Sequence, residues 1–229
     1  MKASFAAAIS AAILVFNPAL AAEPLKSERE KVSYMIGMDV GQSLIQIKDE
    51  VDVEVMARAV GDVLAGRETA LSREEANQVR EAFMQRLQQE FAEKRARQAE
   101  ENKKAGEAFL AENRKRKGVK VTDSGLQYEV IKEGNGKKPS ATDQVKVHYV
   151  GTLIDGTKFD SSRDRGQPAV FPLNGVIPGW TEGLQLMSEG SVYKLYIPSN
   201  LAYGEQGTQG LIGPNATLIF EVELLEVVK

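Results

Sequence analysis

Residues 145–162 read VKVHYVGTLIDGTKFDSS, and this stretch decides the fold of the second half of the chain. Apolar residues at positions 145, 147 and 149 alternate with Lys146 and His148. Because successive side chains of a strand point to opposite faces, this alternation predicts a half-buried antiparallel strand. Asp155-Gly156 follows, a dipeptide that suits a hairpin turn.

The same alternation recurs on both sides of this stretch. It is present at positions 126, 128 and 130 and again at 218, 220, 222 and 224, and Asn135-Gly136 supplies a second turn dipeptide. One short apolar stripe at helical spacing, at positions 177, 180, 184 and 187, lies among these strands. The pattern predicts an α+β domain in which a sheet covers one helix.

Residue types that serve common catalytic chemistry are scarce in this sequence. The chain has no cysteine, which excludes disulfides, thiolate metal sites and cysteine nucleophiles. His148 is the only histidine, so no imidazole pair can hold zinc, and we interpret it as a packed strand residue. Gly204, Gly207 and Gly210 predict a flexible loop, not a nucleotide fingerprint. With a formal net charge of -3, we expect no nucleic-acid partner. Without cysteine and with one histidine we expect no metal, and without a nucleotide motif we expect no cofactor.

Five ordered blocks carry a resemblance to a known family. They are VHYVG (147–151), GTKFDSS (156–162), VIPGW (176–180) with Glu182-Gly183, AYG (202–204) and ATLIF (216–220). In order and spacing they resemble the FKBP-type peptidyl-prolyl cis/trans isomerases over residues 119–229. The resemblance implies an antiparallel sheet wrapped around a short helix. It also implies an isomerase that acts on the X-Pro bonds of proline-containing polypeptides.

The resemblance further implies a hydrophobic pocket. Its catalytic residues would be Tyr149, Asp160 and Tyr203, with Asp160 facing the substrate amide and paired with Arg165. The residues that bind substrate would be Phe159, Phe171, Val176, Ile177 and Phe220, together with Trp180 as the floor. Without the resemblance, the same set of aromatic and branched residues would predict an ordinary hydrophobic core.

Two positions depart from the family pattern. Ala169 stands where many members have a second aromatic residue, and Thr208 stands where many have a histidine. We expect a less aromatic pocket rim as a result. Rapamycin-like macrolide inhibitors are candidate ligands whose affinity this rim would change.

The N-terminus has the organisation of a secretory signal peptide. Lys2 provides the positive end, and the apolar run at residues 6–16 is far shorter than the ~20 residues of a membrane-spanning helix. Ala19-Leu20-Ala21 fits a signal peptidase, so we expect cleavage after Ala21 or Ala22. Export to the periplasm would follow, or outer-membrane association or secretion, with no membrane insertion of the mature chain. An alanine-rich core helix is the alternative interpretation.

Two amphipathic helices are predicted after the signal peptide. The first follows the capping box that begins at Ser27, and the second follows Asp52. A unit this small cannot bury both apolar faces within itself, so we expect a homodimer. The contact is predicted near Met35, Met38, Met56 and Phe83.

A second capping box at Ser72 opens a stretch rich in helix-forming residues that ends at Gly118. Its first half has an apolar side, whereas residues 92–104 contain no large apolar side chain, which predicts a solvated arm. This layout resembles the exported, dimeric macrophage-infectivity-potentiator branch of the family. We divide the chain into a signal peptide (1–21), a helical dimerisation domain (22–70), a long connecting helix (71–117) and an FKBP-type domain (118–229).

Two functional hypotheses remain open at this level. A complete pocket favours an isomerase that assists the folding of exported proteins, whereas a long arm and dimer-seeking helices favour a dimeric chaperone that binds unfolded chains. Both activities can reside in one molecule. A structural spacer would explain the arm but would leave the pocket unexplained.

Overall fold

The computed structural model describes residues 24–228, so the predicted signal peptide lies outside the described residues. The chain divides into two compact units, with the boundary between Ala76 and Asn77. Among the described residues, no helix combines the length and hydropathy that crossing a membrane requires.

The first unit contains two α-helices whose beginnings are set by side-chain caps. Helix α1 spans Glu28–Leu44 and continues into a 3₁₀ helix at Ile45–Glu50, and helix α2 spans Val53–Leu64. The Ser27 hydroxyl accepts from the Glu30 N–H (3.2 Å), and the Glu30 carboxylate accepts from the Ser27 N–H (3.1 Å). These bonds satisfy amides that have no partner inside the first turn of the helix, so the predicted capping box is confirmed.

The first unit leaves its apolar side chains open. Neither helix has a buried residue, and Met35 and Met38 are 52% and 62% exposed. Met56 is half-buried. Leu64 is 83% exposed. An amphipathic helix gains most of its stability from packing its apolar face, and this chain by itself does not provide that packing.

Helix α3 spans Arg73–Asn113 and is one continuous helix of 41 residues. Its first turn is capped by Ser72 and Glu75, whose side chains each accept from the other's backbone N–H (3.2 and 2.8 Å). Phe83 is half-buried on this helix, and the Arg86 guanidinium lies over its ring at 5.5 Å from the centroid.

The second unit is built on one antiparallel sheet of seven strands. The strands are β1 (Val119–Val121), β2 (Gln127–Lys132), β3 (Gln144–Leu153), β4 (Lys158–Ser161), β5 (Ala169–Pro172), β6 (Val192–Ile197) and β7 (Leu218–Val228). Their order is β1-β2-β6-β7-β3-β4, and β5 pairs with β3. The longest pairing joins β3 to β7, with Tyr149 opposite Val222. The last strand of the chain therefore lies in the middle of the sheet.

Helix α4 (Pro178–Leu186) packs against the core of this unit. Trp180 and Leu184 point into the core. A side chain at Gly183 would place its Cβ 2.7 Å from Leu195 Cδ1, so only glycine lets α4 approach β6 this closely. The predicted α+β class, with a sheet around a short helix and helices before it, is confirmed.

The C-terminal part of α3 packs against the sheet of the same unit. Gly106 and Asn113 are buried, and Asn113 Nδ2 donates to Gln127 Oε1 (2.9 Å). Gln127 Nε2 in turn donates to the Leu110 carbonyl (2.9 Å). The prediction that residues 92–104 form a solvated arm is wrong for one face of the helix, since Ala99 and the amide of Asn102 lie partly buried there. Small and amide side chains provide the contact within 92–104, and further along the helix the Phe109 ring packs against Tyr196 (6.0 Å between centroids).

Candidate active site

The second unit contains a cavity of about 750 Å³ that opens beside α4. Its lining is Tyr149, Phe159, Asp160, Phe171, Gly175, Val176, Ile177, Trp180, Tyr203, Thr208, Gly210, Leu211, Ile212 and Phe220. Most of these side chains are apolar or aromatic, and a volume of this size suits a small ligand or a short peptide segment.

Three aromatic rings pack against Trp180 at nearly right angles, and a fourth ring packs in the same way against one of these three. The Trp180 ring lies 5.1 Å from Tyr149 (87° between planes), 5.6 Å from Phe171 (90°) and 5.2 Å from Phe220 (80°), measured between centroids. Phe159 meets Phe220 at 5.4 Å and 82°. Edge-to-face contacts are the preferred geometry of aromatic pairs. The walls of the cavity are therefore fixed by their own packing, with Trp180 almost fully buried at its base.

Strand register brings these aromatic walls together. Tyr149 lies on β3, Phe159 on β4, Phe171 on β5 and Phe220 on β7, and all three other strands pair with β3. Gly151 lies directly opposite Phe220 in the sheet. A Cβ at this glycine would lie 2.6 Å from the Phe159 ring and 2.8 Å from the Phe220 ring. The absence of a side chain at position 151 is thus what allows the two phenylalanines to form one wall.

One polar network crosses the otherwise apolar wall. The Tyr149 hydroxyl donates to Asp160 Oδ2 (2.5 Å) and accepts from Arg165 Nη2 (2.8 Å). Arg165 also forms an ion pair with Asp160 Oδ1, which accepts from the Ser161 N–H (2.8 Å). Both carboxylate oxygens of Asp160 are therefore hydrogen-bonded.

The network holds Asp160 charged and Tyr149 protonated. Partial burial acts to raise the pKa of Asp160, but the hydrogen bonds from Tyr149 and Arg165 outweigh it, so this pKa lies below its ordinary value of 3.8. Burial and the hydrogen bond to Asp160 raise the pKa of Tyr149 above its ordinary value of 10.0. The network keeps one protonation state across the neutral range.

The structure brings the sequence-predicted site residues together, although their roles remain predictions. All of them except Arg165 line the cavity, and Arg165 reaches it through Asp160 and Tyr149. Tyr203 lies at the mouth, 41% exposed. Of the two departures from the family pattern, Thr208 lines the cavity, whereas Ala169 packs against the core.

Sequence reasoning missed part of the lining. Gly175, Gly210, Leu211 and Ile212 also border the cavity. The last three belong to the segment 204–217 that precedes β7, which we call the rim loop. The adjacent apolar residues Leu211 and Ile212 within a glycine-rich stretch were the available signal, but such a pair does not indicate what it covers.

His148 lies outside the cavity lining, on the opposite face of β3 from Tyr149. Its Nδ1 is 3.1 Å from the hydroxyl of Ser162, which is fully buried and accepts from the Tyr149 N–H (2.8 Å). The histidine therefore packs within the sheet, as its interpretation as a strand residue predicted. Across residues 24–228, no cluster of three or more acidic or histidine side chains could hold a metal ion.

Comparisons with known proteins agree with this geometry. The family profile described as FKBP-type peptidyl-prolyl cis-trans isomerase matches residues 135–225, and a profile described as the domain amino terminal to that isomerase matches residues 29–130. The chain is 50% identical over 204 residues to a probable FKBP-type peptidyl-prolyl cis-trans isomerase FkpA of Neisseria meningitidis serogroup B, covering 88% of this chain and 75% of that protein.

Two further matches extend over nearly the whole chain. The outer membrane protein MIP of Legionella longbeachae is 41% identical over 229 residues, covering 100% of this chain and 98% of that protein. The crystal structure of FkpA from Escherichia coli aligns with a TM-score of 0.70 and 39% identity, covering 90% of this chain and 99% of that one.

An antiparallel sheet that closes an aromatic cavity over one short helix defines the class of protein, and the chain belongs to the FKBP-type peptidyl-prolyl cis/trans isomerases. It is an isomerase whose substrates are proline-containing polypeptides. Because the matches to FkpA and Mip proteins include the helical region, the predicted resemblance to the macrophage-infectivity-potentiator branch is also confirmed.

Proposed function

We propose that the aromatic cavity isomerises X-Pro bonds without covalent chemistry, by accepting the twisted amide better than the planar one. The observation that carries this proposal is the composition of the wall: apolar rings together with a single carboxylate that is already ion-paired. No lining residue is a histidine, cysteine or lysine. The cavity thus offers no imidazole, thiol or amine nucleophile and no group with an ordinary pKa near 7.

The energetics of amide rotation suit a site of this kind. Rotation about the peptide bond has a barrier of roughly 18 to 20 kcal/mol because resonance is lost as the bond twists. A twisted amide is less polar than a planar one. A dry aromatic site therefore stabilises the twisted form, relative to the planar form, more than water does. Preferential binding of the twisted form by about 5 to 6 kcal/mol would accelerate the reaction about 10⁴-fold.

Each polar group of the cavity has a role in this proposal. The carboxylate of Asp160 faces the substrate amide, and the bonds from Tyr149 and Arg165 hold it in one orientation. The Tyr203 hydroxyl, at the mouth, donates to the substrate carbonyl and keeps the peptide from turning as a whole while the X-Pro bond rotates. Phe159, Phe171, Val176, Ile177, Trp180 and Phe220 enclose the proline ring.

A protease-coupled assay on residues 22–229 tests this assignment. Tyr203→Phe removes one hydroxyl and keeps the ring, so kcat/KM should fall about tenfold if the hydroxyl binds the substrate carbonyl. Tyr34→Phe is the matched control, because Tyr34 is an exposed tyrosine of the first unit. Equal rates for the two variants would remove Tyr203 from the mechanism.

We also propose that the chain forms a homodimer through the helices that precede the isomerase domain. Support comes from the exposed Met35 and Met38 and from the absence of buried residues in α1 and α2. Met56 and Phe83 are expected at the same contact. Met38→Glu should convert the dimer to a monomer in sedimentation experiments, whereas Ile131→Glu, at an exposed apolar residue of β2 in the isomerase domain, should not. A wild-type chain that sediments as a monomer at micromolar concentration would contradict the proposal.

A second candidate function is that of a dimeric folding chaperone, favoured by the 41-residue length of helix α3. In this proposal the long helices of the two protomers bind an unfolded chain between them while the cavity acts on its prolines. Asp160→Asn should then suppress aggregation of an unfolded test protein as well as wild type does, although it isomerises more slowly. A parallel loss of both activities would show that aggregation is suppressed through the isomerase site.

Export and inhibitor binding complete the proposed function. We propose cleavage after Ala21 or Ala22 and a periplasmic location, supported by the relative named as an outer membrane protein. Mass spectrometry of the secreted chain would fix its first residue. Rapamycin-like macrolides should compete with peptide for the cavity, with an affinity set in part by Thr208 at the rim.

A further inference from the structure

We infer that one face of helix α3 positions the rim loop of the cavity, so that Arg95 and Asn102 act as positioning residues for the isomerase. Thr208, Gly210, Leu211 and Ile212 of the rim loop line the cavity. The inference rests on the proposed assignment of that cavity as the active site. It concerns residues of α3, none of which lines the cavity.

Side-chain hydrogen bonds join the helix and the rim loop in both directions. Arg95 Nη2 donates to the Gln206 carbonyl (2.6 Å), and Asn102 Nδ2 donates to the Pro214 carbonyl (2.8 Å). In the reverse direction, Asn215 Nδ2 donates to the Ala99 carbonyl (3.4 Å). The bonds reach both ends of the loop, on either side of the part that lines the cavity.

The helical period explains why these residues share a face. Positions 95, 99, 102 and 106 follow one another at spacings of four, three and four, so they lie along one side of an α-helix. Further along the same helix, Asn113 and Leu110 are hydrogen-bonded to Gln127 on β2. Helix α3 is therefore attached to the sheet at Asn113 and to the rim loop at Asn102 and Arg95, eleven and eighteen residues earlier.

A close contact supports the same docking. A Cβ at Gly106 would lie 2.3 Å from Thr217 Oγ1, at the end of the rim loop. Glycine is unfavourable inside a helix because of its conformational freedom, so its presence here has a packing reason. Gly213 also lies close to the helix, since a Cβ there would lie 2.9 Å from Gln98 Nε2, a contact that the flexible Gln98 side chain relieves more easily. At each glycine, the backbone of one segment contacts a side chain of the other: Gly106 of α3 contacts Thr217, and Gly213 of the loop contacts Gln98.

The conformation of the loop makes outside support useful. Asn215 has a φ of 56°, in the left-handed region that costs energy for any residue with a side chain, although asparagine tolerates it best. Its N–H donates to the Gly204 carbonyl (2.8 Å), and the Thr208 N–H donates to the Ile212 carbonyl (2.8 Å). These bonds hold the two ends of the loop together, while the bonds to α3 fix the position of the loop relative to the cavity.

The consequence concerns substrate binding more than rotation of the amide. The rim loop contributes Leu211 and Ile212 to the cavity, while the aromatic walls and Asp160 come from the sheet and α4. A loop that loses its attachment to α3 would enclose the peptide less often. We expect KM to rise while kcat changes little.

The test is steady-state kinetics on the full mature chain carrying Arg95→Ala and Asn102→Ala together. KM for an X-Pro peptide should rise about fivefold with kcat within a factor of two, the size expected for two lost hydrogen bonds. Arg97→Ala with Lys103→Ala is the matched control, since both side chains are exposed on the same stretch of helix. Arg95→Lys, which keeps a cationic donor, should restore part of the affinity.

Thermal unfolding of each variant separates positioning from general destabilisation, since the test pair and the control pair should unfold at similar temperatures. Kinetic constants for the Arg95/Asn102 variant equal to those of the control pair would overturn the inference. The Tyr203→Phe variant in the same assay separates the two proposals. If Tyr203→Phe is impaired and the helix variant is not, the cavity is the active site and the helix does not position its rim.

Discussion

Replacing Asp160 with asparagine should slow the isomerase markedly while leaving the fold intact. The substitution keeps the shape of the side chain but removes the charge that faces the cavity. It also weakens the network, because asparagine keeps one acceptor oxygen where the carboxylate has two, and its NH2 group cannot accept from Tyr149 or Arg165. The perturbation thus acts on electrostatics and orientation with almost no change in volume.

The size of the effect can be worked out from the network. A hydrogen bond to a charged acceptor contributes about 1.5 to 3 kcal/mol and one between neutral groups about 0.5 to 1.5 kcal/mol, so the Tyr149 bond weakens by about 1 kcal/mol. The side chain of Asp160 is 41% exposed, and solvent screening keeps the stability loss near the low end. Loss of the charge facing the twisted amide adds about as much again, so kcat/KM should fall about 5- to 30-fold.

The pH dependence of this effect has a definite sign. Because the pKa of Asp160 is held below its ordinary value of 3.8, the charged network contributes stability above that value and loses it as pH falls through the folded-state pKa. The difference in kcat/KM between wild type and Asp160→Asn should therefore be constant near neutrality. It should shrink only in acid, below the ordinary carboxyl range.

The assay is the protease-coupled rate on an X-Pro peptide, with Asp164→Asn as the matched control. Asp164 lies four residues further along the chain and is ion-paired with Lys158, yet it does not line the cavity. Equal rates for Asp160→Asn and Asp164→Asn would refute the reasoning, because any loss would then come from the altered surface charge alone.

Two further predictions concern the same cavity. The rate should be nearly constant between about pH 6 and 8, because no lining residue has an ordinary pKa in that range. The His148→Gln variant should show the same pH profile. A bell-shaped wild-type profile that becomes flat in this variant would show that the histidine takes part in the mechanism. Gly151→Ala should lower kcat/KM by about 5- to 150-fold, because the new Cβ would overlap the rings of Phe159 and Phe220 and overpacking of this kind costs about 1 to 3 kcal/mol. Wild-type kinetics in a folded variant would show that the wall adjusts without loss of activity.

Local sequence patterns were enough to predict many elements of this fold. The capping boxes at Ser27 and Ser72 set the starts of α1 and α3, because the side chain and the amide that it binds are only three residues apart. The alternation around Tyr149 identified β3 for a similar reason, since a strand's two faces differ in solvent exposure wherever one side is buried. Such signals need no knowledge of distant parts of the chain.

The aromatic cavity was predicted through a resemblance and not through periodicity. Rings such as Trp180 and Phe220 give the same pattern whether they fill a core or line a pocket. Five ordered blocks removed that ambiguity because they fix both residue type and spacing. The strand order was beyond this reasoning, since β6 lies between β2 and β7 only through pairings between residues far apart in the chain.

The sequence by itself determined the helices, three of the seven strands and most of the residues that meet at the cavity, because these follow from short-range periodicity and from ordered motifs. Only the tertiary structure decided how α3 is used. Arg95, Asn102 and Gly106 belong to a charged, apolar-poor stretch that by composition should be solvated, yet they contact the rim loop more than 100 residues later in the chain. A contact made by polar side chains and glycine leaves no hydrophobic pattern in the sequence. The loop carbonyls that accept these hydrogen bonds take their positions only once the loop has folded.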